Sequence, residues 1–444
     1  MRSWYLSRLS HAGKRSVPGG STCPLEFAIS KNFSIDFIWL PREHGSPVER
    51  LTLAEIEISG GGWMATELED YQARTVRPSM RVSAYALAQW LAYNWWRLRW
   101  EPETERSPFS WRMSHQIGAS GEGYLWPDLT FISDGESVRL RCRSAATPAE
   151  RQPLRYLNSF DVTIPAGDFE QGIDSFLDGV VGRLASDGAG AAELKGLWDE
   201  VLRERRDPEL TAWRRLEAVM GYDPGEAADT LVNELQRAGT ELGVAAVEEV
   251  AAASGEKALA NIKELCGRPR EEAAAIRINR FDELSRRIQR EIPPSLLSWQ
   301  KATEAARMAR QVWSVGSGAV ATKDLCEFFD VSTDLIKNPS LVKAPMHAGF
   351  RQEGAALRVF LNSPYPANRR FSLLRIVGDH LNSPPPDRLL PAPAKVSTHR
   401  QKFQRAFAQE FLCPCAELVA YLGPEVTSDE AIEDAAHHFD VSQL

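Results

Sequence analysis

Cysteine is scarce in this 444-residue chain: Cys23, Cys142, Cys266, Cys326, Cys413 and Cys415 are spread along it, and no two stand as Cys-x-x-Cys. That spacing excludes a disulfide-dense secreted scaffold and the common paired-cysteine zinc modules. It fits a reducing, cytoplasmic setting. Long apolar runs are missing too. The longest stretches, Val82 to Trp96 and Ala245 to Ala253, are interrupted or too short for the roughly 20 residues that cross a bilayer, so no transmembrane helix is expected. The basic, Ser- and Arg-rich segment 1–31 has no continuous apolar core and does not read as a secretory signal. Positive charge is not in excess: the formal net charge is −8, and the stretch from Asp168 to Glu272 is strongly acidic. Binding a polyanion depends on Lys and Arg displacing counterions, so direct nucleic-acid binding is not expected, and a protein surface is the better match for a partner.

What is present is an ordinary globular composition, 43% hydrophobic and 25% charged, long enough for two to four domains. The fold class expected is an α+β multidomain protein. Residues 32–165 form a Trp-rich mixed α/β module: Phe33 to Leu40, Arg50 to Ser59, Tyr124 to Ile132, Ser137 to Arg143 and the run to Ile164 read as strands. Val82 to Trp100 reads as one helix packed on them, and nine of the 13 Trp lie at or before Trp126. Residues 166–292 carry Ala, Leu, Glu and Arg at helical spacing and predict an acidic α-helical domain, which includes the segment from Glu271 to Ile292. No short turn followed by a basic recognition helix occurs there. Residues 293–444 form the third part, after Pro293-Pro294.

Glycine-rich stretches offer no phosphate loop. Gly60-Gly61-Gly62 and the Gly118, Gly121, Gly123 group read as turns, and Gly316 to Lys323 lacks the second Gly directly before Lys. Pro127-Asp128 with Glu136 has part of the pattern of a restriction-type nuclease core, in which paired carboxylates hold Mg²⁺, but Val138 stands where that pattern has Lys. A nucleic-acid-processing role for the N-terminal module rests on this fragment alone.

The last 150 residues are the informative ones. Four segments follow in order: Leu361-Asn362; Arg369-Arg370-Phe371-Ser372-Leu373; Phe407-Ala408-Gln409-Glu410-Phe411-Leu412-Cys413-Pro414; and Phe439-Asp440-Val441-Ser442. This order resembles the ImmA/IrrE family of bacterial zinc peptidases, over roughly the last third of the chain. The resemblance implies a zincin-like domain in which an HExxH helix and an acidic residue on a second helix hold Zn²⁺. The HExxH positions here read Arg375-Ile376-Val377-Gly378-Asp379, so both His ligands and the general base are replaced. The third-ligand region reads Gln401, Lys402, Phe403, Gln404, without a carboxylate. No catalytic residue and no cofactor are expected. Arg375 and Asp379, spaced i, i+4, predict an ion pair in the volume left by the metal, with Phe371, Leu374, Val377 and Leu381 burying one helix face and Ile376 and Phe403 filling the pocket. The alternative is an active metallopeptidase with rearranged zinc ligands drawn from His380, His399 and Cys413, with Cys415 beside it. His437-His438 read as a surface pair and the cysteines as small buried hydrophobes. By the resemblance, the chain is a regulatory or defence-associated pseudo-peptidase whose partner is a repressor-type regulator or another component of a stress, toxin-antitoxin or phage-defence operon.

Overall fold

The computed structural model describes residues 33–41, 45–105, 107–144, 153–187, 191–269, 273–277, 281–338, 344–352, 356–383, 386–423 and 428–442. The basic segment 1–31 and Cys23 lie outside these. The chain is a mixed α/β multidomain protein that divides into two compact units: residues 29–262 with 395–399, and residues 263–394 with 400–444. Among the described residues, no helix is long and apolar enough to cross a membrane.

In the first unit, β1 (Phe33–Trp39) and β2 (Leu53–Gly60) pair antiparallel, Phe33 opposite Gly60 and Trp39 opposite Ala54. Strict alternation along β2 buries Ala54, Ile56 and Ile58 and turns Leu53, Glu55 and Glu57 outward, the pattern of a half-buried sheet. Between these strands lies the short helix α1 (Pro47–Thr52), capped by Ser46 and Glu49 in a reciprocal box. After β2, Gly61 and Gly62, both with positive φ, turn the chain into β3 (Trp63–Met64). The strands β4 (Leu68–Asp70), β5 (Thr75–Arg77) and β6 (Met80–Ser83) follow, and β6 pairs with the other edge of β2. A second antiparallel sheet holds β7 (Asp128–Ser133), β8 (Ser137–Arg143) and, after β9 (Leu154–Tyr156), β10 (Phe160–Pro165), in the order β10-β8-β7.

The Trp-rich run forms two helices, α2 (Ala84–Tyr93) and α3 (Trp95–Trp100), where one was expected. The break falls at Asn94, whose side-chain amide donates to the Trp90 carbonyl at 2.8 Å and competes with the helical ladder. Trp90, Trp95 and Trp96 are buried core residues. After α4 (Phe109–His115), helix α5 (Ala166–Asp187) lies against β1 at Gly172 and Gly179. A Cβ at Gly172 would meet Phe33 side-chain and carbonyl atoms at 2.5 and 2.7 Å, and one at Gly179 would meet Phe37 at 2.5 Å, so two glycines seven residues apart set how closely helix and sheet approach. The helices α6 (Ala191–Arg206), α7 (Pro208–Val219), α8 (Asp229–Leu242), α9 (Val244–Ser254) and α10 (Ala258–Gly267) complete the acidic stretch.

The second unit is built on a four-stranded antiparallel sheet in the order β11-β13-β12-β14, where β11 is Ala274–Arg277, β12 His347–Gln352, β13 Ala356–Phe360 and β14 Leu389–Ala392. The segment from Glu271 therefore corrects the expectation of a continuous helix. Ala274–Arg277 pairs with Ala356–Val359, burying Ile276, and the helix α11 (Asp282–Glu291) starts only afterwards. Tertiary pairing overrides the helical preference of the alanines. Around the sheet stand α12 (Ser298–Val312), α13 (Thr322–Phe329), α14 (Pro366–Asn382), α15 (His399–Leu412), α16 (Cys415–Leu422) and α17 (Asp429–Phe439). Helix α14 is buried from Ser372 through Leu381 without a gap, so its burial runs around the helix rather than along one face. The sheet covers one side, where Ile376 fits against Gly349, and α15 covers another, where Phe407 fits against Gly378. A Cβ on either glycine would come within 2.7 Å of those side chains.

Candidate functional site

All four segments singled out in the last third of the sequence lie in the second unit. Asn362 follows β13; its backbone N–H donates to His347 Nδ1 at 2.8 Å, and its side-chain amide donates to the Ala344 carbonyl. Arg369 and Arg370 open α14. Arg369 donates to the Leu335 and Ser363 carbonyls at 2.7 and 3.2 Å. The fully buried Arg370 donates to the Val320 carbonyl and reaches the C-terminal segment, donating to the Asp440 carbonyl at 2.6 Å and pairing with its carboxylate. Asp440 adopts a left-handed conformation that ends α17 and turns its backbone toward that arginine.

Further along α14, Arg375 and Asp379 face the start of α15, and the side chains that meet there are polar and closely matched. Arg375 Nη2 donates to the Gln401 side-chain oxygen, to Gln404 Oε1 at 3.2 Å and to the Pro393 carbonyl at 2.6 Å. Gln404 in turn donates to the Pro391 carbonyl at 2.9 Å, which fixes which end of its amide faces the arginine. Asp379 is held by Arg400, whose Nε and Nη2 each donate to a different carboxylate oxygen at 2.8 Å, a bidentate fork. The Ser383 hydroxyl adds a bond at 3.1 Å, and the third arm of Arg400 reaches Asp387 at 3.1 Å. The side chains of Arg400, Asp379 and Asp387 are 6%, 1% and 6% exposed. Burial, with the Asp379 charge behind it, raises the Asp387 carboxyl above its ordinary range against the pull of Arg400.

This arrangement corrects the expected Arg375–Asp379 ion pair. The two do share one side of α14, but Arg400 enters from α15 with the planar geometry that takes both carboxylate oxygens, and Arg375 turns instead to amide and carbonyl oxygens. Ile376 and Phe403 are buried in the same core, Ile376 against the sheet and Phe403 stacked near Phe407 at 6.5 Å between ring centroids.

The candidate alternative ligands are occupied elsewhere. His380 Nδ1 accepts from Arg351 Nε at 3.0 Å, and Arg351 also donates to the His380, Ser383 and Asp387 carbonyls. Burial, then the Arg351 charge, pushes His380 down to about 4. His399 belongs to the first unit, where its backbone N–H and ring Nδ1 meet the Asp134 carbonyl at 2.8 and 3.1 Å. Cys413 is buried, and burial pushes its thiol up to about 12. Among the described residues, no three of His, Cys, Asp and Glu gather around a point that could hold a metal ion. Cys142 and Cys326 are buried as expected, Cys266 is exposed against expectation, and His437 and His438 are exposed, His438 stacking on Tyr421.

The nuclease-like fragment is not assembled. Asp128 begins β7 opposite Arg143, whereas Glu136 sits in the turn beyond the other end of that strand, so a strand length of about 17 Å separates them. Gly316 and Gly318 lie in the loop after α12, where their carbonyls accept from Arg310.

Arg400, Asp387 and Arg351 are the residues that sequence reasoning missed. Their signal was present but local: Arg400 and Asp379 are charged residues set among Phe403, Phe407, Ile376 and Val377, and a charge inside an apolar pattern on each of two helices invites a pairing. No protein-family model, curated protein or solved structure matches the chain.

Proposed function

We propose that the second unit is a metal-free member of the ImmA/IrrE-like class, a pseudo-peptidase that acts by holding a protein partner instead of cutting it. The observation that supports this reading is the pair of cross-helix ties, Arg375 to Gln401 and Gln404 and Asp379 to Arg400, at the positions where the family would hold its metal. In a zinc peptidase, two imidazoles and a carboxylate bind the ion that lowers the pKa of the attacking water, and a neighbouring carboxylate takes its proton. Here a guanidinium, an isoleucine and a carboxylate already bound to arginine stand in those places. The ties do for the helix pair what the metal would do, joining α14 to α15 through the core, and they leave no general base.

Further support comes from the way the other motif segments interlock. Arg370 of the Arg-Arg-Phe-Ser-Leu run clamps Asp440 of the Phe-Asp-Val-Ser run, a contact that suits a scaffold retained without its chemistry. Under this reading, the partner is a repressor-type regulator or another component encoded in the same stress or defence operon. A protein partner also suits a net charge of −8. The test is to incubate the purified full chain with a repressor-type regulator taken from its genomic neighbourhood, where this reading places the partner. Co-elution with the regulator, whose mass stays intact, is the expected result; fragments of the regulator, or no complex at micromolar concentration, overturn the proposal.

A further inference from the structure

A cleft of about 530 Å³ opens in the first unit where the end of β1 meets α1 and the last turn of α5, lined by Trp39, Pro41, Pro47, Arg50, Leu51 and Arg183 together with Leu40. Its walls are of two kinds. Trp39, the two prolines and Leu51 are flat or apolar and, apart from the leucine, rigid. Arg50 and Arg183 bring two positive charges, and neither guanidinium reaches a carboxylate among the described residues. By contrast, the buried or half-buried Arg97, Arg99, Arg205 and Arg214 of the same unit are each ion-paired with acidic side chains, in a chain whose acids outnumber its bases.

Arg183 is half-buried and held in place. Its Nε donates to the Leu51 carbonyl at 3.1 Å, and its guanidinium carbon lies 5.6 Å from the centroid of the Trp39 ring. One arm is therefore satisfied by the backbone, while the charge has no carboxylate partner among the described residues. Arg50, exposed on α1, stands on the same cleft. A half-buried cation beside an aromatic wall gains from an anion that also fills the apolar part of the space, because a guanidinium binds carboxylate or phosphate oxygens in a plane and an indole accepts a flat ring. The volume lies within the range of small-molecule sites.

We infer that this cleft binds a small planar organic anion, a flat ring carrying a carboxylate or a phosphate, with the anionic group between Arg50 and Arg183 and the ring against Trp39 and Pro47. The site is independent of the pseudo-peptidase reading, and either can fail without the other.

The test is calorimetric titration of the full chain with adenosine 5′-monophosphate, indole-3-acetate and inorganic phosphate, repeated with Arg50→Gln and Arg183→Gln. The expected result is saturable binding of at least one ring-bearing anion, weaker for inorganic phosphate, and weakened about fivefold or more by each substitution. Binding of the nucleotide alone identifies a phosphate-bearing ring as the ligand; binding of the indole acid alone identifies an aromatic carboxylate. Arg50 is exposed on the surface, so Arg50→Gln tests the inference even where loss of the Arg183 bond to Leu51 disturbs the fold. No binding of either ring-bearing anion, equal binding of inorganic phosphate, or affinities unchanged in Arg50→Gln overturns it.

Discussion

Removing Asp379 is the sharpest perturbation of the cross-helix ties. In Asp379→Ala, Arg400 loses the bidentate partner that accepts from its Nε and Nη2 at 2.8 Å, while its contact with Asp387 at 3.1 Å remains. With both side chains nearly excluded from water, the abandoned guanidinium has no solvent to turn to, and breaking such a pair from one side costs about 3–5 kcal/mol. An exposed pair of the same geometry would be worth only a few tenths. Arg400→Ala leaves two buried carboxylates, Asp379 and Asp387, and should cost a similar amount. The double variant should cost clearly less than the two singles together, with a coupling of about 2 kcal/mol or more. The parallel cycle on Arg375→Ala and Asp379→Ala should show a smaller coupling, because Arg375 donates to Gln401, Gln404 and Pro393 while Asp379 is taken by Arg400. Urea unfolding with unchanged m-values reads both cycles. Losses below 1 kcal/mol that add simply, or a larger coupling with Arg375 than with Arg400, would refute the assignment.

Other outcomes follow from the same geometry. Gly378→Ala, although it improves helix propensity by roughly 1 kcal/mol, should destabilise by about 1–3 kcal/mol in thermal or urea melts, since its Cβ would meet the fully buried Phe407 ring at 2.7–3.0 Å. His347 and His380 are both pushed from 6.5 to about 4, chiefly by burial, and stay neutral in the fold while an unfolded chain takes up protons near pH 6.5. Their stabilisation is fully present above pH 6.5 and is lost as the pH falls toward 4, by at most roughly 3 kcal/mol for each ring; flat stability over that window in a pH series, compared with His380→Gln, would contradict it. Ile376→Glu, which restores the family's base position alone, should destabilise strongly by burying a carboxylate against the sheet and should yield no peptidase activity in a fluorogenic peptide assay. Tight binding of duplex DNA at physiological salt is not expected from a chain of net charge −8, and a steep salt slope in a fluorescence-anisotropy titration would count against that view.

The parts of the fold that could be read from the sequence are those where one pattern acts alone. β2 alternates strictly, and the helices from Ala166 to Val219 carry their own caps and breaks, such as Asp207 before Pro208, whose side chain accepts from the Glu209 and Leu210 N–H groups. Legibility ended where tertiary pairing decides. Ala274–Arg277 is alanine-rich and becomes a strand only because β13 offers an edge. Leu389–Ala392 contains Pro391 and is tolerated as an edge strand beside β12. At the candidate site, spacing put Arg375 and Asp379 on one side of a helix, but spacing within one helix cannot show that an arginine from another helix competes for the same carboxylate. Only the packing of α14 against α15 brings Arg400 within reach.

Metal content of the purified full chain tests the central claim most directly. Equilibrated with excess Zn²⁺, desalted and analysed by elemental mass spectrometry, the protein should carry well under one zinc per chain, with no change in thermal stability on adding the ion or a chelator. Near-stoichiometric zinc that is lost on substituting His380 would contradict it, because a ligand now bonded to Arg351 would then have to be holding a metal.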